Sequence, residues 1–271
     1  MSDVSDSDFS FVQDLVRRES AIALDSDMKY LVESRLTSLA RKTEYGTLQE
    51  LLNSLRNKQD DRLTASVIEA MTTNETSFFR DAHPFDTLCD SVLPSIADSH
   101  PDIINIWCAA CATGQEPYTI AMSILEKCSA LAPRVNILAT DLSSEVVDKT
   151  ELGLYTKLEV NRGLPIQMLA KYFTKKGLSW QVGQELREMV TARTMNLIGD
   201  WSALPSIDVI FMRNVLIYFD PDVKSSVLNK TSTVLKPEGY LFLGLSETVL
   251  NLDTCYERKT SGPSSYFQIT R

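Results

Sequence analysis

Residues 106–118 read Ile-Trp-Cys-Ala-Ala-Cys-Ala-Thr-Gly-Gln-Glu-Pro-Tyr, and this stretch decides the fold of the larger part of the chain. An apolar segment ends at Trp107, small residues including Gly114 follow, and Pro117 suits the first turn of a helix. In an open parallel sheet, ligands bind where a strand ends and the next helix begins. The sequence therefore predicts a ligand site in the loop after Trp107.

Alternating strand and helix patterns surround that loop. Apolar strand segments are predicted at 103–107, 135–140, 207–211 and 240–243, with helices at about 117–128 and from 144 onward. Continuous apolar strands separated by helices are typical of a parallel sheet covered on both faces. The chain from 103 to 271 is therefore predicted to be a doubly wound α/β domain.

The stretch 154–198 interrupts this alternation. A helix at about 166–172 is followed by two short strand candidates, at 178–182 and 189–195. The pattern predicts a small antiparallel β insertion within the α/β domain.

The first part of the chain has a different pattern. Residues 9–70 show helical periodicity without strand signals, including a helix at about 28–42 and another that begins after Thr47. Thr47 and Glu50 have the spacing of a capping box. We predict a small all-helical domain over residues 1–72, and a linker over 73–102 in which the ligand site begins.

Composition excludes several classes of protein. The net charge of −9 argues against general affinity for nucleic acid, which relies on clustered Lys and Arg. No apolar run approaches the ~18 residues that span a bilayer, and the acidic start 1–8 lacks the pattern of a secretory signal. We therefore expect a cytoplasmic protein without membrane insertion.

Cys108 and Cys111 have the spacing of a dithiol active site or of half a zinc site. A second such pair is missing from the sequence, and its two histidines, His83 and His100, have no ligand spacing. We interpret the two cysteines as small residues at the end of a strand and predict no metal.

The loop chemistry favours S-adenosylmethionine over a dinucleotide. Gly114 is the one glycine of the loop, and Glu116 stands where a pyrophosphate would bind. A carboxylate repels phosphate but suits an ammonium or sulfonium group. Asp141, at the end of the next strand, can accept hydrogen bonds from ribose hydroxyls. An alanine-rich turn with a capping acid also occurs in ordinary packing, so the loop alone leaves that alternative open.

Several segments in the same order carry a resemblance to a known family. They are 74–80 (Asn-Glu-Thr-Ser-Phe-Phe-Arg), 109–118, 139–141, 196–197, 213–219 (Arg-Asn-Val-Leu-Ile-Tyr-Phe) and 237–244 with Ser246 and Glu247. With them the chain resembles the CheR-type chemotaxis receptor methyltransferases over nearly its whole length. The resemblance implies a Rossmann-like domain that esterifies glutamate side chains on chemoreceptor signalling helices, consuming S-adenosylmethionine and releasing S-adenosylhomocysteine.

The resemblance also implies the site residues. The cofactor-contacting positions are Asn74, Thr76, Arg80, Glu116, Asp141, Asn196, Leu197, Arg213 and Asn214. Arg80 and Tyr218 are the implied catalytic groups beside the transferred methyl. Gln115 and Met212 depart from residues common in the family, and neither departure removes an assigned role.

Two features bear on the partner. Lys29, Arg35, Arg41 and Lys42 surround a single acid, Glu33, and form either a solvated helix surface or a contact for acidic receptor helices. Only residues 174–177 join Phe173 to the next strand candidate, whereas relatives that grip a receptor's C-terminal pentapeptide carry a longer loop there. We expect a monomer that works independently of such a pentapeptide.

Two rival functions remain at this point. A non-catalytic cofactor-binding module would have little reason to retain both Arg80 and Tyr218. A small-molecule methyltransferase would have little use for the helical domain and the β insertion.

Overall fold

The computed structural model describes residues 4–57, 60–250, 252, 254–262 and 264–270. The chain divides into two compact units. The first comprises Met1–Thr73 and Tyr218–Val223, and the second comprises Asn74–Ile217 and Lys224–Arg271. The segment 218–223 thus groups with the first unit, although it lies within the range that the sequence assigns to the α/β domain.

The first unit is helical. Its helices are α1 (Asp6–Ser20), α2 (Lys29–Lys42), α3 (Leu48–Asn57) and α4 (Asp61–Met71). Apolar residues three or four apart lie on one side of each helix. Among them, Val12, Val32 and Leu36 are fully buried. The predicted capping box of α3 is present, because Glu50 N–H donates to Thr47 Oγ1 and Thr47 N–H donates to Glu50 Oε2.

The segment 218–223 is tied to the end of α1. Ala23 N–H donates to the carbonyl oxygen of Tyr218 at 2.9 Å, and Ile22 pairs with Phe219 in an antiparallel bridge. Arg17 forms an ion pair with Asp220 at 2.6 Å. Backbone pairing therefore fixes the stretch that carries Tyr218 within the first unit.

The second unit is built on two sheets. Its strands are β1 (Ile104–Ala109), β2 (Val135–Asp141), β3 (Leu154–Thr156), β4 (Phe173–Lys176), β5 (Ser179–Val182), β6 (Val190–Thr194), β7 (Ile207–Met212), β8 (Leu235–Leu243), β9 (Tyr256–Ser261) and β10 (Ser264–Ile269). The large sheet has the order β6-β2-β1-β7-β8-β10-β9. Its first five strands are parallel to one another, and β10 runs antiparallel to β8 and β9. The predicted α/β class is confirmed.

Helices pack around the two sheets, with the helices at 157–161 and 166–172 on the small one. They are α5 (His83–Thr87), which continues through a π-helical turn at Leu88–Val92 into α6 (Leu93–Ser99), then α7 (Gln115–Lys127), α8 (Ser144–Leu152), α9 (Lys157–Asn161), α10 (Ile166–Tyr172), α11 (Gln184–Met189) and α12 (Pro221–Val234). In the core, Phe211 stacks between Phe85 and Phe242. The centroid of its ring lies 5.9 Å from that of Phe85 and 4.7 Å from that of Phe242. This packing fixes β7 and β8 against α5.

The order of the large sheet places the site. The chain runs from β1 outward through β2 to β6, then returns to the other side of β1 with β7 and β8. The strand order therefore reverses between β1 and β7, and ligands bind at the carboxyl ends of such strands.

The insertion is smaller than predicted. Its three strands have the order β3-β5-β4 and pair antiparallel. The strand predicted at 189–195 is not part of it: β6 pairs in parallel with β2 in the large sheet. Only Ala192 of β6 is buried, so the sequence of this edge strand looks like that of an exposed hairpin strand.

The connection 174–177 also differs from expectation. Residues 173–176 form β4, and only Gly177 and Leu178 turn the chain into β5. Gly177 has a φ of +61°, the left-handed conformation that tight hairpin turns need. The hairpin β9–β10 and the short strand β3 were not predicted, because polar residues interrupt their apolar patterns. Within the described ranges, no helix is both long and apolar enough to cross a lipid bilayer.

Candidate functional site

The loop after β1 has an unusual backbone. Ala110, Ala112 and Gly114 have φ values of +59°, +48° and +88°. A left-handed conformation costs an L-residue roughly 1–2 kcal/mol, so surrounding contacts must hold the two alanines in place. Gly114 is required for a second reason, since a Cβ there would lie 2.7 Å from Thr150 Oγ1 and 2.8 Å from the Tyr155 hydroxyl oxygen.

The end of β2 supplies part of that support. Cys111 N–H donates to the carbonyl oxygen of Thr140, and Ala112 N–H donates to Asp141 Oδ2, both at 2.9 Å. Asp141 Oδ1 accepts from Ser143 N–H at 3.1 Å. The carboxylate of Asp141 therefore helps to shape the loop.

Cys108 and Cys111 are buried beside this loop. Burial raises the pKa of both thiols well above the ordinary value, which disfavours the reactive thiolate. The packing interpretation of these two cysteines fits their surroundings.

Glu116 lies in the first turn of α7 and forms an ion pair with Arg213. Arg213 Nη1 donates to Glu116 Oε2 at 2.6 Å, and the Arg213 side chain is 1 % exposed. Burial raises the pKa of Glu116 above its ordinary value, and the charge of Arg213 opposes that shift. Sequence reasoning placed both residues at the cofactor but did not find that they bind each other.

Arg213 also holds the turn that follows the 74–80 segment. Its Nη2 donates to Asp81 Oδ2 and to the carbonyl oxygen of Arg80, both at 2.9 Å. Phe79 and Asp81 have positive φ values of +50° and +52°. The guanidinium thereby fixes the backbone that carries Arg80 against the end of β7.

The rest of the 74–80 segment is anchored by packing. Phe78 is fully buried, whereas Asn74, Thr76 and Arg80 are partly exposed. Phe79 N–H donates to Thr119 Oγ1 on α7 at 3.1 Å. The aromatic residues anchor the segment and leave its polar side chains accessible.

Glu247 binds the backbone of two loops at the candidate site, a role that sequence reasoning missed. Its Oε2 accepts from Asn214 N–H after β7 and from Gly244 N–H after β8, both at 2.7 Å. Asn214 has a φ of +60°, so this carboxylate stabilises a costly conformation at a predicted cofactor position. The sequence signal was the segment that ends in Ser246 and Glu247, to which no role was assigned.

Asn196 and Leu197 follow β6. Asn196 Oδ1 accepts from Ile198 N–H at 3.1 Å, and Leu197 is buried. Met195 N–H donates to the carbonyl oxygen of Asp141 at 2.7 Å, so the turn is attached to the end of β2.

The strand ends thus bring together most of the predicted cofactor residues of the second unit. Asp141 ends β2, and Glu116, Asn196, Arg213 and Asn214 follow its parallel neighbours β1, β6 and β7. Tyr218 belongs to the first unit, in the segment paired with the end of α1, and its side chain is partly buried.

Comparisons with known proteins identify the family of the chain. The family described as CheR methyltransferase, SAM binding domain, matches residues 74–263, and the CheR methyltransferase all-alpha domain matches residues 7–72. The chain is 38% identical to chemotaxis protein methyltransferase 1 of Vibrio cholerae over 98% of both chains. It is 37% identical to chemotaxis protein methyltransferase 1 of Pseudomonas aeruginosa, over 97% of this chain and 98% of that protein. It is 34% identical to the chemotaxis protein methyltransferase of Borreliella burgdorferi, over 87% and 86%.

Proposed function

The chain belongs to the CheR family of S-adenosylmethionine-dependent methyltransferases, and on that premise we propose that it forms methyl esters on glutamate side chains of chemoreceptors. Its function is methylation in chemotaxis, and its cofactor is S-adenosylmethionine. The main support for the proposal is that chemotaxis protein methyltransferases match this chain through both its helical and its α/β part.

The chemistry needs placement more than proton transfer. A glutamate carboxylate, with an ordinary pKa of ~4.3, is ionised at neutral pH and needs no general base. A carboxylate oxygen bonds to the methyl carbon as the carbon–sulfur bond breaks, giving an ester and S-adenosylhomocysteine. Because this step neutralises both charges, a site that excludes water and aligns the three atoms favours it.

We propose that the residues at the strand ends bind the cofactor. Asp141 would accept from the ribose hydroxyls. Glu116, with Oε2 held by Arg213, would offer negative charge to the methionyl ammonium. The remaining proposed contacts are Asn74, Thr76, Arg80, Asn196, Leu197, Arg213 and Asn214.

We assign the catalytic roles to Arg80 and Tyr218. Arg80 has a planar fork that can orient a carboxylate, and Tyr218 can donate one hydrogen bond. Neither group has to exchange a proton with the substrate.

One experiment tests the proposed reaction. The protein is incubated with methyl-labelled S-adenosylmethionine and receptor cytoplasmic fragments, and the labelled product is then treated with mild base. Methyl esters release the label, as the proposal expects. A label that resists base would contradict ester formation, and no transfer at all would support a non-catalytic module.

Replacing Tyr218 with Phe tests its role. Removing one hydroxyl while keeping the ring should lower kcat by roughly tenfold to a hundredfold, because a small misplacement of reacting atoms is costly. The dissociation constant of S-adenosylhomocysteine, measured by calorimetry, should stay nearly unchanged. The control is Tyr45→Phe, which removes a hydroxyl bonded to Ser54 in the same unit. A Tyr218→Phe enzyme with wild-type kcat would remove Tyr218 from the mechanism.

The basic residues of α2 differ in their availability to a partner. Lys29 forms an ion pair with Asp6 at 2.7 Å, and Arg35 donates to the carbonyl oxygens of Ala70 and Thr72 at the end of α4. At 3.6 residues per turn, Arg35 and Lys42 share a side of α2, and the other two cations lie on other sides. We propose that the exposed Arg41 and Lys42 contribute most to the contact with acidic receptor helices, and that Arg35 mainly stabilises the unit.

Charge reversal tests this contact. Arg41→Glu with Lys42→Glu should raise the Michaelis constant for receptor roughly twofold to tenfold at low salt, since exposed pairs contribute about 0.2–1 kcal/mol each. Salt should reduce the difference, because exposed charges are screened. The matched control is Arg258→Glu with Lys259→Glu on β9, which changes the net charge equally. Equal effects of the two double variants would contradict a local contact.

We further propose that the protein acts as a monomer in the cytoplasm and does not need a receptor's C-terminal pentapeptide. The two-residue turn at Gly177 and Leu178 supports the last point, because it leaves little loop to surround a peptide. Deleting the pentapeptide from a receptor should change the Michaelis constant for that receptor by less than about twofold. A twofold change corresponds to roughly 0.4 kcal/mol of binding free energy. A pulldown that requires the pentapeptide would overturn this proposal and leave the methyltransferase assignment intact.

A further inference from the structure

The small antiparallel sheet touches the cofactor loop through one hydroxyl group. Tyr155 lies in the middle of β3, is fully buried, and donates from its hydroxyl to the carbonyl oxygen of Thr113 at 2.8 Å. Thr113 lies between the left-handed residues Ala112 and Gly114. The bond therefore ends at the part of the loop that local backbone preference holds least well.

The ring of Tyr155 contacts aromatic rings in three other parts of the second unit. Its centroid lies 5.1 Å from that of Phe78 in the 74–80 segment, 6.4 Å from Phe173 at the start of β4, and 6.3 Å from Tyr118 on α7. Phe78 and Phe173 also contact each other edge to face at 5.6 Å. Buried rings packed in this way move together, because a dense interior leaves no room for one to shift alone.

The hydroxyl of Tyr155 is protonated at neutral pH. Burial raises its pKa well above the ordinary value. The hydroxyl therefore acts as a hydrogen-bond donor from the small sheet to a carbonyl of the cofactor loop.

We propose that Tyr155 is a positioning residue through which the small sheet holds the cofactor loop, so that cofactor binding and ordering of the small sheet stabilise each other. Such coupling is reciprocal by thermodynamic necessity. The inference concerns cofactor binding alone and does not depend on which side chain is methylated.

The first test is Tyr155→Phe, which keeps the ring and removes only the hydroxyl. The dissociation constant of S-adenosylhomocysteine, measured by calorimetry, should rise about threefold to tenfold, as expected for the loss of one internal hydrogen bond. The Michaelis constant for S-adenosylmethionine should rise by a similar factor with kcat nearly preserved.

The matched control is Tyr172→Phe. Like Tyr155, Tyr172 is a buried tyrosine, and it lies directly before β4. Its hydroxyl, however, donates to Glu126 Oε1 at 2.6 Å instead of to the loop. A purely structural role of Tyr155 would lower the melting temperature of Tyr155→Phe but leave its dissociation constant unchanged, as in the Tyr172→Phe control. That outcome would overturn the proposal.

Hydrogen exchange of the wild-type protein gives an independent test. Saturating S-adenosylhomocysteine should slow exchange of the amides in residues 179–182 of the small sheet as well as in the loop 110–114. In Tyr155→Phe the protection of the small sheet should fall while that of the loop persists. A small sheet whose exchange does not respond to the ligand in the wild-type protein would also overturn the proposal.

Discussion

Replacing Arg213 with leucine should lower the free energy of unfolding by about 3–5 kcal/mol, because it leaves the buried Glu116 carboxylate without its partner. The same change frees Asp81 and the carbonyl oxygen of Arg80 from their shared donor. Urea denaturation followed by circular dichroism measures the loss. Affinity for S-adenosylhomocysteine should fall as well, since the guanidinium fixes the backbone that carries Arg80.

The loss should depend on pH in a defined direction. Burial raises the folded-state pKa of Glu116 above its unfolded value, so its contribution to stability is most favourable below the unfolded pKa and is lost as pH rises through the folded pKa. Without Arg213 the folded pKa rises further. The difference in stability between wild type and Arg213→Leu should therefore be smaller at pH 5 than at pH 8.

A double variant provides the control. Adding Glu116→Gln to Arg213→Leu removes the unpaired charge and should restore part of the lost stability without restoring cofactor affinity. A double variant no more stable than Arg213→Leu would show that the buried charge of Glu116 is not the source of the loss.

Replacing Asp141 with alanine should weaken the binding of S-adenosylhomocysteine by about 1.5–3 kcal/mol. The dissociation constant should therefore rise roughly tenfold to 150-fold. Two effects combine. The ribose loses its proposed acceptor, and Ala112 N–H loses the carboxylate oxygen that helps to hold the loop in its left-handed conformation. Calorimetry on folded protein measures the change.

Asp141→Asn separates the two effects. Asparagine keeps one oxygen, which can still accept from Ala112 N–H, but loses the negative charge. We expect an affinity between those of wild type and Asp141→Ala. If Asp141→Ala binds as tightly as the wild-type protein, the ribose must lie elsewhere.

Features that depend on neighbours in the chain could be predicted from the sequence. The capping box of α3 involves residues three apart. The loop that ends at Gly114 lies between a strand that precedes it and a helix that follows it. Apolar periodicity likewise predicted α2 and the strands β1, β2 and β7 within a few residues of their observed ends. These patterns are local, because backbone preference and the period of burial are set over a few residues.

The partner of the edge strand β6 escaped the same reasoning, although the strand itself was predicted. The sequence of β6 buries only Ala192, so nothing in its pattern distinguishes a partner in the large sheet from one in the small sheet. Its parallel pairing with β2 follows from a crossover of the chain, which a window of ten residues does not contain.

The pairing of polar groups depended on the tertiary structure alone. Sequence reasoning placed Glu116, Asp141 and Arg213 at the cofactor, but the ion pair of Glu116 with Arg213 joins residues far apart in the chain. The same holds for the Glu247 carboxylate on Asn214 and for the Tyr155 hydroxyl on the loop. The sequence motifs, and the family resemblance that they carry, thus predicted which chemical groups the candidate site contains. Which of them bind each other was decided by strand order and helix packing, because a buried charge or hydroxyl takes the partner that the fold brings within reach.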